Sequence, residues 1–397
     1  MHLLMSVLGF PQRRFASIHV VGTNGKSSVT RMAAALLDAH GVRAGAYVSP
    51  HVSRWSERVL IGGEPIGPDE FAAAVARTAE AAQVVERTLE EGEAVTQFEV
   101  ATAAAFVALA AAGVKVAVIE AGLGGRLDAT NVIPSQVAVL TSIGLEHTEW
   151  LGSTELEIAA EKLAVLRDHS TLVLGRVSPA VAALARDAAQ ERSATLVVAP
   201  EDPGSEVRLR SPGGFQRRNF SLASAAVEAF LGQVDEERLA DVGRDLTIPG
   251  RLQQLGDDPP IYVDVAHNPD GAAAIAEALP EVAAGRPVVT CLAMLHEKDA
   301  AATVAALAPA LDRVVCTELP EEALSKRGLR GAGSRPADEL AKICETTGVA
   351  AEVQVDFAAA VRRGRELAAG APGGLLLITG SHYVLAPARM ALGLCED

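Results

Sequence analysis

Short apolar runs rich in Val, Ile and Leu alternate with Ala-rich stretches of helical spacing along nearly the whole chain, and few folds accept that order. The runs fall at 17–21, 45–48, 116–120, 137–141 and 172–174, then at 261–264, 288–292, 313–316, 352–355 and 375–379. Helical spacing fits 26–40, 69–90, 98–112, 154–166 and 179–191, and later 271–279, 300–310, 337–346 and 357–369. Strands that are apolar without alternation belong in a parallel sheet covered on both faces. A chain of 397 residues exceeds one core, so two α/β domains are expected. The break falls near Thr247-Ile248-Pro249-Gly250-Arg251, giving domains 1–248 and 249–397. The Pro- and Gly-containing stretch 199–214 reads as a loop or a small antiparallel excursion.

The first run leads into Gly22-Thr23-Asn24-Gly25-Lys26-Ser27-Ser28, and a helical stretch follows. A strand, a glycine turn and a helix N-terminus present backbone N–H groups and a positive dipole end to an anion. Lys26 adds a point charge for phosphate, and a hydroxyl of Ser27 or Ser28 can reach a magnesium ion. The spacing is not the common G-x-x-x-x-G-K-[ST], because Val20 stands at the first glycine position.

In open parallel sheets ligands gather beyond the carboxyl ends of the strands. Ser49-Pro50-His51 follows the second run, and Glu120 closes the third before Gly122-Leu123-Gly124-Gly125-Arg126. Ser142 and Glu146-His147 follow the fourth. A hydroxyl, a carboxylate and an imidazole beside a triphosphate can hold magnesium, although imidazole is an unusual ligand for it. Each has an ordinary reading as well: a helix-cap partner for Glu120, a turn serine for Ser49, a surface lysine for Lys162.

Bulk properties exclude other classes. Hydrophobic residues make up 49% and charged residues 21%, a globular balance. The net charge of −15, with no basic stripe, argues against a nucleic-acid partner. No apolar run is long enough to span a bilayer, and the start lacks the pattern of a signal peptide. Cys291, Cys316, Cys344 and Cys395 lie far apart in sequence without a C-x-x-C pair, which suits reduced thiols in a cytoplasm.

Taken in order, these segments resemble the folylpolyglutamate synthase / dihydrofolate synthase family, within the superfamily of Mur-type ATP-dependent amide ligases. The resemblance runs through 18–28, Ser49-Pro50-His51 to Glu57-Arg58, Gly62-Gly63-Glu64-Pro65-Ile66, Thr96-Gln97-Phe98-Glu99 and 120–131. It continues through 141–147, Glu161-Lys162, Pro249-Gly250-Arg251, 264–269 and Gly380-Ser381-His382, and so covers nearly the whole chain. It implies an α/β fold: a P-loop-containing parallel-sheet ATPase domain followed by a smaller Rossmann-like domain. It implies ATP and Mg²⁺ as cofactors, with Gly22 to Ser28 on the phosphates and Ser28, Ser49, Glu120 and His147 on the metal. Lys162 would be carbamylated, and Lys26, Lys162, His147 and Glu120 would be catalytic. Asn219, Arg251 and Asp264 would contact the nucleotide. Thr96, Gln97, Phe98, Glu99, Leu127, Asp128 and Ala129 would lie by the pterin-bearing substrate, with His267 and Ser381 around the incoming amino acid.

The implied reaction is carboxylate activation. ATP phosphorylates a folate or dihydropteroate carboxylate, and the amine of L-glutamate displaces phosphate. A monomeric cytoplasmic enzyme is expected. The chain departs from the family's usual pattern at Ser27, where a second glycine is common, and at Leu163-Ala164-Val165. Ser27 would either crowd the phosphate or itself reach the metal. Met1 also precedes the loop by less than the leader that relatives use at the pteroate site. Dihydropteroate ligation therefore stands apart from tetrahydrofolate glutamylation as an expectation. A Mur-like ligase acting on another carboxylate, such as a cell-wall precursor, is the alternative within enzymes. A silent binding protein is the alternative outside them.

Overall fold

The computed structural model describes residues 1–325, 333–370 and 373–394. Cys395 lies outside them. Contacts divide the chain into two compact units. The first is Met1–Leu209 with Arg217–Leu246; the second is Arg210–Gln216 with the chain from Thr247 onward. The second unit thus takes in part of the stretch expected to be loop, and Phe215 packs against its core.

In the first unit the strands are β1 (Ala16–Val21), β2 (Ala44–Tyr47), β3 (Val59–Ile61), β4 (Glu64–Pro65), β5 (Val116–Glu120), β6 (Val137–Leu140), β7 (Thr171–Leu174) and β8 (Thr195–Val198). They form one eight-stranded sheet in the order β4-β3-β2-β5-β1-β6-β7-β8. From β2 to β8 the pairs are parallel, with Val20 beside Glu120 and Val21 beside Leu140. The expectation of a wholly parallel sheet needs correction at one edge, where β3 and β4 run antiparallel. A tight turn at Gly62 and Gly63, both at positive φ, folds that short hairpin.

The order places β1 between β5 and β6, so the chain leaves β1 for one side of the sheet and later returns to the other. Such a reversal opens a crevice at the carboxyl ends of the central strands. The helix Gln97–Ala111 covers one face of the sheet. It is buried almost all round, as its Ala-rich sequence allows, and its Phe106 packs with the helix Pro68–Glu86 in one core with Tyr47 and Ile119. Further along the same face Leu140 and Leu172 lie beneath the helices Glu155–Leu163 and Pro179–Glu191, with Leu163 and Leu166 packed on them.

In the second unit β9 (Gln253–Asp257), β10 (Pro260–Val263), β11 (Val288–Leu292), β12 (Arg313–Cys316), β13 (Ala350–Val353) and β14 (Leu375–Thr379) form a six-stranded sheet. Its order is β13-β12-β11-β14-β10-β9, parallel except for β9, which pairs antiparallel at the edge. Cys316 and Cys344, distant in sequence, bring their sulfurs to 3.9 Å in this core.

Candidate active site

Gly25 ends the loop after β1 in the left-handed region (φ 85) and caps the helix Lys26–Ala39. That conformation favours glycine, and a Cβ there would also come to 2.7 Å from Asn219 Oδ1 and push that side chain aside. The loop is laced to the end of β6. Thr23 N–H donates to Ser142 O at 2.8 Å and Asn24 N–H to Ser142 Oγ at 3.0 Å, while Thr141 Oγ1 donates to Asn24 O at 2.6 Å. Thr23 and Asn24, read from sequence as phosphate binders, therefore spend their N–H groups on holding the loop's shape. The first internal bond of the helix is Val29 N–H to Gly25 O. The N–H groups ahead of it, from Gly25 to Ser28, are those that a helix end offers to an anion.

Two lysines converge on one carbonyl. Lys26 Nζ donates to Gly22 O and Thr23 O, both at 3.0 Å, and Lys162 Nζ donates to the same Gly22 O at 3.0 Å. Lys162 is buried near the end of the helix Glu155–Leu163. Burial, then the neighbouring charge of Lys26, pushes its amine down to about 7. Gly125 makes room for this segment: a Cβ would stand 2.7 Å from the backbone oxygens of Glu161 and Lys162. Arg126 fastens the turn by its N–H to Glu161 O and its guanidinium to the Glu161 carboxylate, both at 3.1 Å.

Glu120, at the end of β5, is 1% exposed. Ser27 Oγ donates to its Oε1 at 2.8 Å and Ser49 N–H to its Oε2 at 3.0 Å. Such donors make a buried carboxylate tolerable. The Ser28 hydroxyl is fully buried and has no hydrogen-bond partner among the described residues. His147 is exposed, in the left-handed region (φ 52), where it starts the short helix Thr148–Leu151. Among the described residues no group of three or more His, Cys, Asp and Glu side chains gathers to hold a metal alone. One buried carboxylate, with an orphaned hydroxyl on the residue that follows its donor Ser27, suits a hard cation that takes its other ligands from phosphate and water.

The residues expected by the pterin-bearing substrate divide. Thr96 and Glu99 form the capping box of the helix Gln97–Ala111, and Glu99 also takes the Met1 ammonium at 2.6 Å. Gln97 is exposed, and the Phe98 ring lies against Gly122, where a Cβ would meet its Cε1 at 2.8 Å. Leu127 is 91% exposed, whereas Ala129 is buried. Asp128 is largely committed to its own loop: Oδ2 accepts from Gly122 N–H at 3.0 Å and Leu123 N–H at 2.8 Å, and Oδ1 from Thr130 N–H at 2.9 Å and the Thr130 hydroxyl.

Sequence reading passed over the far end of that chain of bonds. His19, buried in β1, places Nε2 2.8 Å from Thr130 Oγ1. Because the Thr130 hydroxyl donates to Asp128, it accepts from His19, which makes His19 the Nε2–H tautomer. Burial, with Arg167 nearby, pushes the imidazole down to about 3 and keeps it neutral. A histidine in an otherwise apolar strand was the one available signal. Beyond β2, His51 is buried beneath Trp55, and Arg58 donates to its Nδ1 at 3.1 Å.

In the second unit Asp264 is buried and accepts from Leu252 N–H and Ala266 N–H, each at 2.8 Å. Burial raises its carboxyl, against the opposing charges of Arg251 and His267. His267 Nδ1 lies 2.9 Å from Val265 O, and its ring centre is 5.9 Å from that of His382. The Ser381 hydroxyl, also buried, accepts from Tyr383 N–H at 3.2 Å.

Residues 20–211 match the Mur ligase middle domain, and residues 250–382 match the Mur ligase glutamate ligase domain. A dihydrofolate synthase/folylpolyglutamate synthase from Mycobacterium tuberculosis is 37% identical over 354 residues, 79% of this chain and 72% of the relative. This chain belongs to the folylpolyglutamate synthase/dihydrofolate synthase family. The crystal structure of M. tuberculosis folylpolyglutamate synthase complexed with ADP and AMPPCP is similar with a TM-score of 0.90 and 32% identity, over 100% of this chain and 95% of that one. The Yersinia pestis bifunctional enzyme, complexed with AMPPNP and a manganese ion, is similar at a TM-score of 0.83 and 28% identity, over 98% of this chain and 92% of that one. No described helix of this family member is long and apolar enough to cross a membrane.

Proposed function

We propose that this chain joins L-glutamate to the carboxylate of a folate-type acceptor, using ATP, through an acyl phosphate. The observation that carries the reading is the meeting of Lys26 and Lys162 on the Gly22 carbonyl. Phosphoryl transfer asks for positioning and charge neutralisation more than for a protein nucleophile. Lys26 and the N–H groups of Gly25 to Ser28 supply both to the β- and γ-phosphates. Asn219, Arg251 and Asp264 bind the rest of the nucleotide. Ser28, Ser49, Glu120 and His147 hold Mg²⁺, which when bound neutralises phosphate charge.

Two ammonium groups on one carbonyl repel each other. Carbamylation of Lys162 replaces that repulsion with attraction, and an amine that titrates near 7 is neutral often enough to attack CO₂. The new N–C bond forms as the amine sheds one proton, leaving a carboxylate where a cation stood. The acceptor lies by Phe98 and the turn from Leu127 to Ala129, with Thr96, Gln97 and Glu99 shaping the helix end and Asp128 bracing the turn. Its carboxylate oxygen attacks the γ-phosphorus and ADP leaves. The glutamate amine, with His267 and Ser381 around the amino acid, then attacks the acyl carbon. The tetrahedral adduct collapses with loss of phosphate and a proton. We further propose a monomer in the cytoplasm.

ADP formation by the purified chain with Mg·ATP and L-glutamate tests this, comparing tetrahydrofolate, dihydropteroate and no acceptor. Glutamate-dependent ADP release with an acceptor is expected. Release with neither acceptor would overturn the reading.

A further inference from the structure

Ser27 has a use in this site that a glycine there could not supply. Its hydroxyl donates to Glu120 Oε1 at 2.8 Å, while Ser49 N–H donates to Oε2 at 3.0 Å. Each oxygen of a nearly inaccessible carboxylate thereby has a neutral donor. A carboxylate oxygen has two lone pairs and can accept from a neutral donor while it meets a cation. The next residue, Ser28, carries the buried hydroxyl that has no partner among the described residues. We propose that Ser27 is a positioning residue for the divalent cation, holding the Glu120 carboxylate in its binding rotamer before the cation arrives. This rests on the reading that Glu120 and Ser28 hold that cation. The sequence offered two roles for Ser27, crowding the phosphate or itself reaching the metal; its hydroxyl is spent on Glu120 instead, and it acts through that carboxylate.

Outer hydrogen-bond partners of metal ligands act on affinity by orienting the ligand, and their loss costs about 10–100-fold. A hydroxyl that merely shaped the helix end would act on the nucleotide with or without a cation. The two roles therefore separate. Mn²⁺ is the probe: free Mn²⁺ is followed by electron paramagnetic resonance as it is titrated into the full chain saturated with ADP. Ser27→Ala and Ser27→Gly are expected to bind Mn²⁺ about tenfold more weakly or worse, and Ser27→Thr to restore binding. In EDTA all three variants still bind ADP, through backbone N–H groups that the substitutions keep, which also shows that they are folded, and any change in ADP affinity there is smaller than the change for Mn²⁺.

Equal Mn²⁺ affinity in wild type, Ala and Gly variants would overturn the role of Ser27 alone. So would a parallel loss of ADP binding in EDTA. A wild-type chain that holds ADP but no Mn²⁺ would overturn both this proposal and the metal site beneath it.

Discussion

Lys162 Nζ donates to the Gly22 carbonyl oxygen at 3.0 Å, linking a buried helix end to the loop after β1 across 140 positions of sequence. The same oxygen accepts from Lys26. A lysine placed so deep, beside a second cation, is a group whose charge state the fold controls.

Replacing it should stop ligation without unfolding the protein. Lys162→Ala is expected to lower the ligation rate at least a hundredfold, with nucleotide binding retained. Carbon-13 bicarbonate should give a carbamate signal in the wild-type spectrum that is absent from the variant. Ligation at a near-normal rate in Lys162→Ala would refute the role.

The pH dependence of stability follows from the same burial. The folded amine titrates near 7, well below its value in an unfolded chain. Between those values the unfolded state carries a proton that the folded state lacks, so stability rises with pH across the window. The cost of burial is complete below about pH 7 and is relieved toward about pH 10, on the order of 5 kcal/mol in all. Denaturant unfolding in carbonate-free buffer should show that slope in the wild type. Lys162→Met, which keeps the apolar stem, should flatten it.

Gly125→Ala should disturb the site from behind. The added methyl meets the backbone oxygens of Glu161 and Lys162 at 2.7 Å, and backbone cannot swing aside as a side chain can. A loss of about 1–3 kcal/mol in unfolding free energy is expected, with reduced ligation because Lys162 is displaced. Wild-type stability and rate together would show that the close approach relaxes freely.

His19 should remain neutral, as the Nε2–H tautomer, from about pH 5 to pH 8, and nitrogen-15 NMR of the ring reads both. His19→Leu leaves Thr130 without its donor at 2.8 Å and is expected to cost about 1–3 kcal/mol. His19→Gln, whose amide can reach the same place, should recover part of it. An imidazole that titrates near 6.5 would contradict the bond order from His19 through Thr130 to Asp128.

The central strands were legible because they are short, apolar and unalternated, and β5, β11, β12 and β14 begin and end where the sequence puts them. The edges were not. Val59–Ile61 is too short to show a period, and Gln253–Asp257 has neither an apolar run nor alternation. The helix Gly214–Leu231 hides behind an Ala- and Ser-rich face and a pair of arginines. At the site, sequence singled out Lys26, Glu120 and Lys162 as candidates, whereas their meeting on Gly22 and Ser27 depends on register between distant strands. Thr96 and Glu99 carry a signal that went unused: a threonine three residues before a glutamate is also a helix start, and the fold uses it so.

Activation of the acceptor carboxylate by phosphorylation is tested most directly with oxygen-18. With the label in the acceptor carboxylate, one labelled oxygen should appear in the inorganic phosphate released during glutamate ligation, in step with amide formed. Phosphate that takes its oxygen from solvent water instead, with the label kept on the acceptor, would contradict the account.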